Sequence, residues 1–253
     1  MVILKQREEL RLMRQAGRIV AEVLALLEER LQPGVTTGEL NACAETWIRK
    51  QGAVPSFLGY PPGARHPFPA SICASVNAEL VHGIPGARML HEGDIITLDV
   101  GVFHQGFHGD AARTFAVGAV SAEAASLLAI TAAALAAGEA QVRCGNRLGD
   151  VSHAVQTAVE PHGYYLTRQY SGHGIGRQLH EAPQILNVGS PGQGLLLAEG
   201  MALCIEPMVL IGTAQTRVLD DHWTVVSANA ALTAHFENTL AIVDGEPEIL
   251  TRL

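Results

Sequence analysis

The sequence predicts an α+β fold, and three observations carry that prediction. Apolar periodicity runs in the order two helices, strands, two helices, strands. The order repeats, which predicts two similar halves, 1–120 and 121–253, although their sequence identity is negligible. No linker separates them, so 1–253 reads as one domain with no extension domain ahead of it.

Each element has its own signal. Leu10, Met13, Gly17, Val20, Leu24 and Leu27 recur at helical spacing, with Arg11, Arg14, Arg18 and Glu22 on other faces. Pro33-Gly34 ends that helix. Thr36-Thr37-Gly38-Glu39 reads as a capping box and starts a second helix to Gln51. Residues 53–70 hold five prolines and two glycines and predict an irregular loop. Ser71 to Asn77 is a short strand. Ile95 to Phe103 is a strand rich in β-branched residues, and Phe107 to Val117 is its hairpin partner. Ala122 to Val142 and Gly149 to Pro161 read as helices. A glycine-rich stretch from Ser171 to Gly176 and a Pro/Gly loop to Gly194 follow. Strands are then expected over Met201–Ile211, Trp223–Ser227 and Leu232–Val243.

Composition narrows the function classes. Hydrophobic residues are 48%, charged residues 17% and mean hydropathy is +0.19, which excludes a disordered chain. The net charge of −8 and the lack of a basic stripe argue against nucleic-acid binding. The uncharged run from Ala124 to Gly138 is too short and too weakly apolar to span a bilayer, and no signal peptide is visible, so a cytoplasmic protein is expected. Small size and no spare apolar helix face predict a monomer. Cys43, Cys73, Cys144 and Cys204 form no CxxC pair and read as buried thiols.

The chemistry begins with an acid out of place. Asp99 interrupts the apolar run Leu98-Asp99-Val100, where an unpaired carboxylate is costly to bury. A two-residue turn, His104-Gln105 or Gln105-Gly106, sets residue 99 opposite 110 or 112. Either register puts Asp99 and Asp110 on one face, where they repel unless a cation lies between them. Glu206 stands in a second apolar run, Cys204 to Met208, and Glu237 in a third, Ala234 to Leu240. His173 lies between Gly172 and Gly174, where a ligand can approach closely. Singly, each has a plain structural explanation. Together, two Asp, two Glu and one His make a hard, oxygen-rich set suited to paired divalent ions, with softer thiolate chemistry absent. Competing motifs fail: Gln184 occupies the last position of an HExxH match begun at His180, and neither GxGxxG, GxSxG nor Walker A is present.

These residues sit in longer runs: Ser75 to Pro85, Gly93 to Asp99, Gly106 to Asp110, Ser171 to Arg177, His180 to Pro183, Glu206 to Met208, and Thr233 to Thr239. In that order, over nearly the whole chain, they resemble the type I methionine aminopeptidases, a group of the pita-bread metallopeptidases. The resemblance implies a pseudo-two-fold arrangement of the halves around a curved antiparallel sheet. It implies two divalent ions (Co, Mn, Fe or Zn) on Asp99, Asp110, His173, Glu206 and Glu237, with Asp110 and Glu237 bridging. It makes Glu206 the acceptor of the water proton, His180 the stabiliser of the oxyanion, and His82 a contact to the scissile nitrogen or the following residue. The implied methionine pocket is Phe57, Tyr60, Phe68, Cys73, His82, Leu179 and Trp223. The implied activity is removal of methionine from nascent N-termini ahead of a small second residue. Three departures touch the pocket alone. The loop over 61–67 is longer than usual, Phe57 replaces a small residue, and Leu179 replaces an aromatic. The alternatives are an X-Pro aminopeptidase or prolidase, which carries a large N-terminal domain absent here, and an inactive binding module of the same fold, against which the complete ligand set argues.

Overall fold

The computed structural model describes residues 2–253. Helices α1 (Arg7–Glu28) and α2 (Thr37–Lys50) open the chain. Strands β1 (Val54–Pro55), β2 (Cys73–Val76), β3 (Glu79–Val81), β4 (Ile95–His104) and β5 (Phe107–Ala116) follow. Helices α3 (Ala122–Glu139) and α4 (Leu148–Val159) begin the second round. It continues through β6 (Tyr164–Leu166), β7 (Gly172–Gly174), β8 (Glu181–Ile185), β9 (Ala202–Ile205), β10 (Met208–Ile211) and β11 (Thr216–Val218). Strands β12 (Val225–Ser227), β13 (Thr233–His235), β14 (Asn238–Val243) and β15 (Glu246–Ile249) complete it.

The expected capping box starts α2: the Thr36 N–H donates to the Glu39 carboxylate at 2.8 Å, and Thr36 Oγ1 accepts from the Glu39 N–H at 3.2 Å. Helix α1 stops at Glu28, before Pro33-Gly34, and the intervening residues form turns. Helix α3 extends beyond the uncharged run on which the expectation of a short segment rested. By length and composition it is the one helix among the described residues both long and apolar enough to cross a membrane. It packs against α4 and buries Leu127, Thr131, Ala134, Leu135 and Gly138 in the second of two large apolar cores.

Two strand pairs position the site. In the first half, β4 and β5 form an unbroken antiparallel ladder of ten residue pairs. Its turn is Gln105-Gly106, both at positive φ (49° and 88°), the hairpin geometry that matches strand twist. This selects one of the two registers: Asp99 faces Ala112 and Asp110 faces Gly101, so the two carboxylates are diagonal neighbours on one face. Helix α1 crosses β5 where Gly109 meets Gly17, and a Cβ on Gly109 would come 2.8 Å from the Gly17 nitrogen. Backbone thus packs on backbone.

In the second half the expected single strands are broken. Residues 201–211 form β9 and β10 with Glu206-Pro207 between them, and 232–243 form β13 and β14 with Phe236-Glu237 between them. The breaks coincide. Strand β9 pairs with β14 in one sheet, and β10 pairs with β13 in another, so two neighbouring strands change sheets together. The Pro/Gly loop also hides β8, and β6 lies in a segment that showed no strand signal.

Candidate active site

The seam between the halves brings the two pairs together. Glu237 turns out of its own sheet and onto β5, its N–H donating to the Ala112 carbonyl at 2.8 Å. Two hydroxyls stitch the same seam. Thr239 Oγ1 accepts from the Asp110 N–H at 3.0 Å and donates to the Asp110 carbonyl at 2.8 Å. Thr114 Oγ1 does the same for the His235 N–H and carbonyl, both at 2.9 Å. Carbonyls freed by the breaks find side-chain donors: Asn187 Nδ2 reaches Glu206 at 2.9 Å, and the Arg113 guanidinium holds Glu237. The backbone can therefore leave the ladder without orphaning its polar groups.

A cavity of about 430 Å3 opens at this seam. Asp99, Asp110, His173, Glu206 and Glu237 all line it, as do His82 and His180. So do all seven expected pocket residues, Phe57, Tyr60, Phe68, Cys73, His82, Leu179 and Trp223. Oxygen atoms of Asp99, Asp110 and Glu237 lie within 4.8 Å of one another, as do ligand atoms of Glu206, His235 and Glu237, and of His173, Cys204 and Glu237. The last two groups add residues that sequence reasoning passed over. His235 carried a usable signal, since it precedes Glu237 by two residues in an apolar run, the strand spacing for one face. Cys204 faces His173 across the β7–β9 pairing, and burial followed by the Glu237 and Asp110 charges pushes its thiol well above the usual range, so it stays protonated.

The electrostatics fit a cationic occupant. Asp99 Oδ1, Asp110 Oδ1, Glu237 Oε1 and both ring nitrogens of His235 are buried with no hydrogen-bond partner among the described residues. Burial pushes the Asp99 carboxyl up to about 7, and burial plus the Asp99 charge pushes Glu237 up to about 8. Asp110 and Glu206 are held well above the usual carboxylate range, by burial first and then by the Glu237 charge. The imidazoles move the other way. Burial takes His173 and His235 down to about 3 and His82 to about 4, keeping all three neutral and able to donate a lone pair. His173 Nδ1 is 2.9 Å from the Gly174 carbonyl, which fixes the proton there and leaves Nε2 free. That Nε2 stands 3.6 Å from Glu206 Oε1, and His235 Nε2 stands 3.7 Å from Glu206 Oε2. Both gaps are too long for hydrogen bonds and leave room for a shared ion. Lone pairs and carboxylate oxygens converging without partners are what divalent cations require.

The pocket wall is aromatic. Phe68 meets Trp223 edge-on at 5.2 Å and Phe57 at 6.4 Å, and His82 meets Trp223 at 6.0 Å. The long loop does not enter this wall. It closes at its neck, where Gly59 N–H donates to Phe68 O at 2.8 Å and Phe68 N–H to Tyr60 O at 2.7 Å. No residue of 61–67 lines the cavity, although the His66 carbonyl accepts from the Trp223 indole at 3.0 Å and so steadies the wall from behind. Gly101 makes room for the bulky Phe57, whose ring a Cβ there would meet at 2.6 Å.

A buried acid–imidazole cage at the seam of two helix–helix–strand halves defines a metallopeptidase of the pita-bread fold. The sequence model of metallopeptidase family M24 matches residues 11–244, and the chain belongs to that family. Within the family, methionine aminopeptidases match it end to end. The chain is similar to the methionine aminopeptidase of Clostridium acetobutylicum, at 51% identity over 252 residues and 99% of each chain. It is similar to methionine aminopeptidase 1 of Bacillus subtilis, at 47% identity over all of both chains. The crystal structure of methionine aminopeptidase from Rickettsia prowazekii matches with a TM-score of 0.96 at 38% identity, covering 99% of this chain and 100% of that one. The prolidase of Pyrococcus furiosus matches with a TM-score of 0.80 at 20% identity and is covered over 66% of its length, a likeness of fold alone.

Proposed function

We propose that this chain, acting as one catalytic unit over 1–253, removes the N-terminal methionine from newly made proteins and peptides when the second residue is small. One observation carries the reading: a single cavity joins an acidic cage with orphaned oxygens to an aromatic and sulfur-lined pocket. Two divalent cations (Co, Mn, Fe or Zn) would supply Lewis acidity to the scissile carbonyl and acidify a water. Asp99, Asp110, His173, Glu206 and Glu237 would hold them. Glu206 takes the proton of the attacking water. His180 stabilises the charge that develops on the carbonyl oxygen: its Nδ1 is 2.7 Å from the Tyr60 hydroxyl, which by donating there leaves the ring proton on Nε2. His82 contacts the scissile nitrogen or the second residue. Phe57, Tyr60, Phe68, Cys73, Leu179 and Trp223 form a soft-walled slot suited to an unbranched thioether. The substrates are nascent N-termini in the cytoplasm, and the working form is a monomer.

The test is methionine release from peptides by metal-reconstituted protein. Met-Ala-Ser is cleaved and Met-Lys-Ser is spared. His180→Ala lowers kcat roughly 10²-fold with metal content intact. Preferential cleavage of Ala-Pro peptides would instead make the chain an X-Pro aminopeptidase, and full metal loading without turnover would make it a binding module.

A further inference from the structure

We propose that Lys5 and Glu181 form a buried ionic latch through which the N-terminal segment positions His180. The inference rests on the role given to His180 above. Lys5 Nζ lies 2.5 Å from Glu181 Oε2, and the two side chains are only 3% and 5% exposed. A buried pair recovers little more than its own desolvation cost, so its value lies in where it holds things rather than in stability.

What it holds is the turn that carries His180. Glu181 opens β8 and directly follows His180, and its other oxygen, Oε1, accepts from the Gln178 N–H at 3.2 Å. The stretch 175–181 thus wraps around one carboxylate whose countercharge comes from the far end of the chain. The pair lies directly over Gly176, where a Cβ would come 2.5 Å from Lys5 Cε and 2.7 Å from Glu181 Oε1. Lys5 is itself anchored: its N–H donates to the Gly200 carbonyl at 2.7 Å, its ammonium donates to the Ile3 carbonyl at 2.9 Å, and Val2 packs on the second core. Arg177, in the same turn, bonds Glu9 of α1 at 3.0 Å, a second tie to the same end of the chain. His180 meets the Tyr60 hydroxyl on its cavity side and packs 4.4 Å from the His173 ring. The latch closes its turn from behind. An oxyanion donor acts only if it is already placed, and Lys5 is the group that would do the placing.

The experiment is a double-mutant cycle on the metal-loaded enzyme with Met-Ala-Ser. Lys5→Met is expected to lower kcat about tenfold, with KM and metal content within about twofold, and Lys5→Arg to restore most of the loss. In the His180→Ala background, Lys5→Met should cost less than about twofold, because the residue it acts through is already gone. Equal losses in both backgrounds, or an unchanged kcat, would overturn the proposal. If Lys5→Met does not fold, Glu181→Gln carries the same comparison. Hydrogen exchange gives a reading that needs no substrate: amides 176–181 should exchange at least about fivefold faster in the variant while those of β4 do not. Unchanged exchange at 176–181 would also overturn the latch. Wild-type protein that holds metal but releases no methionine would sink the assigned activity, and the exchange result would still decide the latch.

Discussion

The β4–β5 hairpin and the paired breaks at Glu206 and Glu237 deliver carboxylates to the same cavity by opposite means. The hairpin is regular: ten consecutive pairs, one turn, and two acids on one face by strand parity alone. The breaks are irregular: two strands leave one sheet for another, and each acid occupies the residue at which the ladder is interrupted. A regular strand can aim a carboxylate only perpendicular to its sheet. A break lets the chain turn and present a side chain along the seam, which is how Glu237 comes beside Asp99 and Asp110 from the other half. The hairpin supplies rigidity and the breaks supply convergence.

If both devices build one cage, removing either acid must have the same consequence. Asp110→Ala and Glu237→Ala are each expected to lower kcat/KM by at least about 10³-fold and to reduce bound metal, read by peptide assay and metal analysis. A variant that keeps its metal content and most of its activity would show that one region is dispensable.

The regions should differ in stability. Gly109→Ala, in the regular hairpin, pushes a methyl into the α1 backbone and should cost about 1–3 kcal/mol in denaturant unfolding. Metal stoichiometry should hold in the fraction that folds. A neutral Gly109→Ala would mean that α1 shifts freely on β5.

The cage also writes itself into pH dependence. In metal-free protein, Asp99 at about 7 and Glu237 at about 8 retain protons that the unfolded chain, with carboxyls near 4, has lost. The native state then binds more protons than the unfolded state, and stability falls as pH rises through this window. His173 and His235, at about 3, and His82, at about 4, act with the opposite sign, but only below the unfolded imidazole value of about 6.5. From about pH 6.5 to 8 the carboxyls act alone, and apo-protein should lose on the order of 2 kcal/mol. Saturating divalent metal should remove that loss, because it replaces the protons as countercharge. Thermal unfolding at several pH values, with and without metal, decides it; a flat apo profile would mean that burial does not hold these carboxyls protonated.

The smallest effect belongs to the hairpin turn. Gln105 sits at φ 49°, which Asn tolerates better than Gln, so Gln105→Asn should stabilise by about 0.5 kcal/mol without altering activity. A loss of activity would show that the turn reaches the site.

Much of this was legible in the chain itself. Periodicity gave the helix pairs and the β4–β5 hairpin, and Thr36 with Glu39 marked a helix start, because these signals are local. The four acids of the cage stood out because each is a polar group in or beside an apolar run, a cost that local structure cannot relieve, and His173 stood out between two glycines. Two strands read as continuous were not. Pro207 is a local breaker in 201–211, but nothing local in 232–243 favours a break over a strand; pairing partners in two different sheets, and donors such as Asn187 and Arg113 far away in sequence, make the breaks affordable. Cys204 was missed for the same reason, since a buried Cys in a strand looks like core until its neighbours across the sheet are known, whereas the spacing of His235 to Glu237 was there to be read. Chain order and residue chemistry determined what kind of site this protein would build. Tertiary structure alone decided the Asp99–Ala112 register, the convergence of the halves at Glu237, and the placing of residues 61–67 outside the pocket wall, because each depends on contacts between segments that no local signal joins.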